Sequence, residues 1–184
     1  MEILQEVFHR LSIHGLFLKP KKCTVAAPSI ELLGHVINRD GVNTAPSKIE
    51  AMAEYPSPKD RAEVRAVMGT FSYYRSFIKN FSKVAAPINS TLRQDINFKW
   101  TPEAEEAFKE LKKRMTTAPI LARPDLTQPF TLQTDACKTG LGAVLTQLQQ
   151  VMDENNEPLT NELGQPIKKE VVICYVSTGT NKHE

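Results

Sequence analysis

The side chains of this chain that could do chemistry are scattered. Its aspartates are Asp40, Asp60, Asp95, Asp125, Asp135 and Asp153, and no two are adjacent. Nucleotidyl transfer or RNA cleavage by the two-metal route needs clustered carboxylates around Mg²⁺ ions about 4 Å apart. One isolated carboxylate cannot hold two such ions. No G-x-S-x-G, phosphate-binding P-loop or H-E-x-x-H occurs, and His9, His14, His35 and His183 form no zinc-like set with the cysteines. Cys23, Cys137 and Cys174 are far apart, odd in number and lack a C-x-x-C pair, which reads as free thiols in a reducing compartment. The stronger chemical pattern is cationic. Arg61, Arg65, Gly69, Ser72 and Ser76 fall within about 40° of Arg65 at 100° per helical residue. From Val64 to Gln94 there is no acid, while Arg65, Arg75, Lys79, Lys83 and Arg93 are basic. A narrow basic front suits a groove lined with phosphate. The plain alternative is an amphipathic helix whose polar side is only solvated.

That stripe needs a helix behind it. Ser57, Pro58 and Asp60 supply a cap hydroxyl, a proline for the first helical position and an acid for the first turn. Val64, Val67, Met68, Phe71, Tyr74 and Ile78 then recur at three- and four-residue steps, predicting a helix continuous to about Ile78. A second helix is expected from Ser82, as cap, through Leu92, kinked or shortened by Pro87. The two would enclose Val67, Phe71, Tyr74, Ile78, Val84 and Ile88.

The remaining elements follow in order. Ile3, Leu4, Val7, Phe8 and Leu11 make a helical stripe that Gly15 can end. No cap precedes it, so the chain is expected to begin inside a domain. Leu16–Leu18 suits a short strand beside the basic cluster Lys19, Lys21 and Lys22, a solvated loop or a phosphate contact. Ile30 to Ile37 reads as strand, and Asn38-Arg39-Asp40-Gly41 as turn. A short helix is expected from Pro46 to Tyr55. Thr101-Pro102 opens the clearest helix, with Ala104, Ala107, Phe108, Leu111 and Met115 as its expected buried stripe, and with Glu103, Glu105 and Glu106 early and Lys109, Lys112, Lys113 and Arg114 late, as the helix dipole favours. These charges are assigned no chemistry. Phe130–Asp135, Leu141–Gln147 and Val171–Val176 read as strands, and Leu148–Lys169 as a loose surface loop.

Composition sets outer bounds. The 184 residues suffice for one or two small domains, and 41% are hydrophobic. The net charge of +2 hides an asymmetry: residues 1–99 hold 14 Lys and Arg against 9 Asp and Glu, and residues 100–184 hold 9 against 12. The first half is the better polyanion binder. No apolar run approaches the roughly 18 residues that span a membrane, and Glu2, Glu6 and His9 interrupt any signal-peptide pattern. The chain is therefore expected to be intracellular, cytoplasmic or nuclear, and not secreted.

Four motifs in order carry a resemblance: LLGHVI at Leu32–Ile37, MGTFSYYRSFIKNFSKVAAPI at Met68–Ile88, FKWTPEAEEAFKELKKRM at Phe98–Met115, and TDACKTGLGAVLTQ at Thr134–Gln147. Together they resemble the Pol polyprotein of gypsy-type LTR retrotransposons, from the reverse transcriptase into its RNase H-like domain. The resemblance weakens from about Leu148. It implies an α+β fold with four parts: the end of the palm with a β-hairpin primer grip (1–45), a small helical thumb (46–96), a connection helix and linker (97–125), and the opening strands of an incomplete RNase H-like domain (126–184). Leu33, Gly34 and His35 match the primer grip. Arg61, Arg65, Gly69, Ser72, Arg75 and Ser76 would face the duplex. Asp135 matches the first of four metal-binding carboxylates, though an aspartate there can also simply cap a turn.

The resemblance also sets the expected chemistry. The parent activities are RNA-directed DNA polymerisation and cleavage of RNA–DNA hybrids, both with Mg²⁺. The Y-x-D-D-like palm turn would lie upstream of Met1. Glu184 matches the acid of an N-K-x-E-like segment that is no metal ligand. The chain itself is expected to bind a template–primer duplex without catalysis and without holding Mg²⁺. Its partners would be that duplex, RNA–DNA or DNA, and the rest of the polyprotein. The alternatives are a catalytically dead, retroelement-derived protein-interaction module and a non-functional remnant that folds poorly.

Overall fold

The structure is a computed structural model that describes residues 2–93, 97–137, 140–153 and 157–180. Within them the chain alternates helices with two three-stranded antiparallel sheets. Helix α1 spans Glu2–Ile13. Strands β1 (Ser29–Leu32), β2 (His35–Asn38) and β3 (Val42–Thr44) form the first sheet, in sequence order. Helices α2 (Pro46–Ala53), α3 (Arg61–Tyr73), α4 (Phe81–Ser90) and α5 (Pro102–Thr116) follow. Strands β4 (Phe130–Cys137), β5 (Gly140–Gln150) and β6 (Lys168–Gly179) make the second sheet, again in order.

The core lies among α3, α4 and α5. Val64, Val67 and Phe71 of α3, Ile88 of α4, and Phe108, Leu111 and Met115 of α5 are almost wholly buried. Phe71 meets Phe108 edge to face at 6.0 Å, and Trp100 does the same at 5.9 Å, a preferred geometry for aromatic pairs. The expected stripe of α5 is the buried one, and its Thr101 hydroxyl accepts the Ala104 N–H at 3.2 Å. By contrast, no residue of α1 is buried, so its apolar stripe faces outward.

Several expected boundaries move, each for a visible reason. Helix α3 starts at Arg61, because the Asp60 carboxylate caps it at 2.9 Å from the Glu63 N–H. Glu63 in turn accepts from the Lys59 N–H at 2.8 Å, and Ser57 donates instead to Glu105 at 2.7 Å. The helix stops at Tyr73 and gives way to a 3-10 turn, Arg75–Phe77, so it does not run on to Ile78. Helix α4 is entered through Asn80 in the left-handed conformation (φ 55°), so Asn80 and not Ser82 is its cap. Pro87 sits inside α4 without ending it.

Ile30–Ile37 is not one strand. Leu33 and Gly34 form a tight turn, both at positive φ (52° and 80°), as two-residue hairpin loops require. Leu148–Lys169 is not loose. Strand β5 continues to Gln150 and β6 begins at Lys168, and bridges at Met152–Pro158 and Thr160–Pro166 order the excursion between them, residues 154–156 lying outside the described set. Lys138 and Thr139 also lie outside it, as do Met1, Gln94–Ile96 and Asn181–Glu184.

Two seams join the parts. Val42 of β3 and Leu121 exchange backbone hydrogen bonds at 2.8 and 2.9 Å, and the Ala122 N–H donates to the Val172 carbonyl at 2.8 Å. Residues 121–122 thus lie between the two sheets. Gln147, fully buried in β5, donates to the carbonyls of Asp125 (2.8 Å) and Gln128 (3.1 Å) and accepts from the Asp125 N–H (2.9 Å). It pins the linker to the second sheet.

The hairpin tip is held by the end of α3. The Tyr73 hydroxyl donates to the Leu33 carbonyl at 2.8 Å, and the Tyr74 hydroxyl to the Gly34 carbonyl at 3.2 Å. The His35 ring stacks between Tyr73 (5.2 Å) and Phe77 (5.5 Å). Its Nδ1 is buried and finds no hydrogen-bond partner among the described residues. Burial lowers its pKa from the ordinary histidine value, because the charged ring would lose its water without gaining a partner.

Two outcomes follow. A Cβ on Gly34 would lie 2.5 Å from the Tyr74 hydroxyl, at a φ that side chains rarely adopt, so Gly34→Ala should destabilise the protein by about 1–3 kcal/mol, read as a lower Tm. For His35 the folded-state pKa lies below the unfolded one. Its contribution is complete above the unfolded value, near 6.5, and is lost as pH falls through the folded one. Thermal melts between pH 7.5 and 5 should therefore fall more steeply for the natural chain than for His35→Phe.

Candidate nucleic-acid interface

On α3 the stripe opposite the buried side has an open middle. Arg65, Gly69 and Ser72 are exposed, and space around Gly69 is free within 4 Å of a Cβ. The ends of the expected stripe differ. Arg61 donates to the Arg93 carbonyl at 2.8 Å. Arg75 donates to the Ser177 carbonyl of β6 at 2.5 Å. Ser76 lies in the 3-10 turn and is half-buried. Arg65, Gly69 and Ser72 thus share one helical face, while Arg61 is drawn toward Arg93 and the side chains of Arg75, still exposed, and Ser76 take directions set by the 3-10 turn after Tyr73.

The hairpin tip lies at the C-terminal end of this open stretch, since Tyr73, which holds it, is four residues beyond Gly69. Leu33 is 79% exposed at the tip. A leucine held at positive φ and in water is doubly unfavourable. The tyrosines explain its backbone, and among the described residues nothing covers most of its side chain. His35 points the other way, into the aromatic stack, so the structure brings together Leu33, Gly34 and His35 as one turn but gives only Leu33 an outward side chain.

Asp135 lies elsewhere, exposed on β4. The register pairs Asp135 with Gly142 and Gly142 with Ser177. Directly paired residues share a sheet face, so Asp135 and Ser177 project to the same side. That side meets the start of α4: the Ser82 N–H donates to Ser177 Oγ at 2.9 Å, and a Cβ on Gly142 would lie 2.9 Å from Asn80 Oδ1. A recess of about 160 Å³ beside Asp135 is lined by Lys79, Asn80, Gln133 and Tyr175 among others. Its only carboxylate is Asp135, and it includes a lysine. Among the described residues no three acids, histidines or cysteines gather as a metal site. These residues do not by themselves fit Mg²⁺, and no step is derived through it.

Sequence reasoning missed the residues that organise this region: Tyr73, Tyr74, Asn80, Ser177 and Gln147. The tyrosine pair was visible only as helix stripe and margin. Lys112 was read as a dipole partner, yet its ammonium donates to the carbonyls of Ala53 (3.1 Å) and Tyr55 and lies 4.6 Å from the Phe108 ring centre. Desolvation lowers its pKa. Glu105 accepts from Trp100 Nε1 and Ser57 Oγ, both at 2.7 Å, and those bonds lower its pKa. Both are braces of the core.

Comparison with known proteins agrees with this architecture. The model of the RNase H-like domain found in reverse transcriptase matches residues 100–159. An uncharacterized mitochondrial protein of Arabidopsis thaliana is 43% identical over 119 residues, 64% of this chain and 75% of that protein. The retrovirus-related Pol polyprotein from transposon 297 of Drosophila melanogaster is 35% identical over 98% of this chain, which spans only 17% of that polyprotein. Among solved structures, a foamy viral protease–reverse transcriptase in complex with double-stranded DNA superposes with a TM-score of 0.73 at 22% identity, covering 98% of this chain and 29% of that one. The same kind of protein in complex with an RNA/DNA hybrid gives 0.70 at 22% identity, covering 98% and 22%. No helix among the described residues is long and apolar enough to cross a membrane. With an α+β fold of hairpin sheet, helical middle and RNase H-like strands in the expected order, the chain belongs to the reverse transcriptase–RNase H-like region of retrotransposon Pol polyproteins.

Proposed function

We propose that this chain grips a template–primer duplex, RNA–DNA or DNA, for the polyprotein region to which it belongs, as the end of the palm with primer grip (1–45), thumb (46–96), connection (97–125) and the beginning of an RNase H-like domain (126–184). The observation that carries the reading is the open face of Arg65, Gly69 and Ser72 directly beside the outward tip at Leu33. A small-residue face lets a polynucleotide backbone come close, and one arginine at its head supplies charge for a phosphate. Contacts of this kind give affinity without sequence preference. The foamy viral neighbours were solved on double-stranded DNA and on an RNA/DNA hybrid, which supports the same ligand class here.

Asp135 is proposed as the first carboxylate of a hydrolytic site whose other carboxylates come from elsewhere in the polyprotein. The parent reactions, polymerisation and hybrid cleavage with Mg²⁺, belong to the whole polyprotein in this reading, in an intracellular compartment. This chain contributes the grip.

Binding of a labelled duplex, followed by anisotropy as salt rises, tests the grip. Affinity should fall linearly in log–log form. Arg65→Ala should weaken binding on every sequence and lower the slope by about 1, while Arg75→Ala, which removes a guanidinium already donating to the Ser177 carbonyl, should lower it less. A slope indifferent to Arg65, or saturable binding to a protein partner with none to duplex, overturns the reading in favour of an interaction module.

A further inference from the structure

The stretch from Tyr73 to Ser82 touches both sheets. Tyr73 and Tyr74 hold the Leu33 and Gly34 carbonyls at the hairpin tip, at 2.8 and 3.2 Å. The very next residue, Arg75, reaches the Ser177 carbonyl at 2.5 Å. Asn80 then lies against Gly142, and the Ser82 N–H meets Ser177 Oγ at 2.9 Å. Ser177 and Gly142 are no arbitrary anchors. They form one cross-strand row with Asp135, about 10 Å from end to end at the usual strand spacing.

We propose that Tyr73–Ser82 is a ruler that fixes the distance between the primer-grip tip and the Asp135 row, with Arg75 as its positioning residue. Its functional meaning rests on the duplex reading above, because the tip and the row would then act on one bound duplex. The sheets are joined a second time, at residues 121–122, where Leu121 pairs with β3 and Ala122 bonds to Val172. One seam alone would leave an axis about which the first sheet could swing. The ruler removes that freedom by holding the tip itself. The bond types suit the task. Each anchor on the sheets is a backbone carbonyl, a backbone neighbour or one serine hydroxyl, so the spacing is set by main chain and not by flexible side chains on the far partner. Asn80 adds a second constraint. Its left-handed backbone (φ 55°) turns the chain sharply between the Arg75 anchor and the Ser82 anchor, which lets two points seven residues apart in sequence close on the same serine.

The test is a distance measured without nucleic acid. In the full chain, with Cys23→Ser, Cys137→Ser and Cys174→Ala, spin labels go on Leu33→Cys and Thr178→Cys, both exposed positions. Pulsed electron paramagnetic resonance should give one narrow distribution. Arg75→Met should at least double its width, Tyr73→Phe with Tyr74→Phe should do likewise, and Arg75→Lys, which keeps a cationic donor, should restore most of the narrowness. A merely structural role would not show that rescue. Should Arg75→Met fail to fold by circular dichroism, Ser177→Ala, which removes only the hydroxyl under Ser82, decides by the same broadening. A broad distribution in the natural chain, or an unchanged width in the variants, overturns the ruler. Failure to bind duplex with a narrow distribution intact overturns the grip and leaves the ruler standing.

Discussion

Burial of one side of α3 is the constraint from which the rest follows. Val64, Val67 and Phe71 are sealed in one core with Phe108, Leu111 and Met115 of α5, Phe71 meeting Phe108 edge to face, and sealing a large apolar side chain is worth roughly 1.5–3 kcal/mol. No rotation of α3 can keep that contact and hide Arg65, because the two lie on opposite sides of one cylinder. The exposed basic front is therefore a by-product of core packing, fixed in direction by residues that never touch a ligand. The α5 side of the contact is braced in turn. Thr101 caps it, Glu105 gathers Trp100 and Ser57, and Lys112 closes the carbonyls at the end of α2. Loss of any of these acts on the interface through the angle of α3.

What was legible in the sequence was whatever rests on period and on local caps. The α5 stripe and its Thr101 cap follow from residues within one or two turns of each other, and the structure has them as read. The buried face of α3 follows likewise from three- and four-residue steps. The strands of the second sheet were placed in type and order, though each runs longer than its apolar run, since pairing propagates through polar residues such as Gln149 and Lys169 once the ladder is begun. The expected division into four parts rests on the resemblance carried by the motifs alone.

What was not legible depends on partners distant in sequence. Arg75 shares phase and charge with Arg65, and nothing local says that one meets water and the other a carbonyl 102 residues away. Asp60 and Ser57 are both good caps, and the choice between them is made by Glu105, 48 residues beyond Ser57. Gly34 looked like a strand glycine. Leucine preceding it at positive φ could not be foreseen, because the strain is offset by two hydroxyls 40 residues on. Pro87 was expected to disturb α4. A proline ten-residue helices can tolerate is one whose helix is held from outside, and Ala85 and Ile88 on either side of it are buried in the core.

The two faces of the second sheet show how gripping and cutting come to be separable in this fold. One face carries the Asp135–Gly142–Ser177 row and is occupied at its far edge by the start of α4. The opposite face leaves Leu132, Leu141 and Val176 more than half exposed. The grip draws its rigidity from helices and from the first face alone, so it needs nothing on the second. A hydrolytic centre needs several carboxylates converging on one point, and only one is here. Convergence is a property of elements packed around a sheet, whereas a basic helical front needs one core beneath it. That asymmetry in what each activity demands is why, in the proposed reading, an exposed basic helical front can stand beside an aspartate that no second carboxylate joins among the described residues lining its recess.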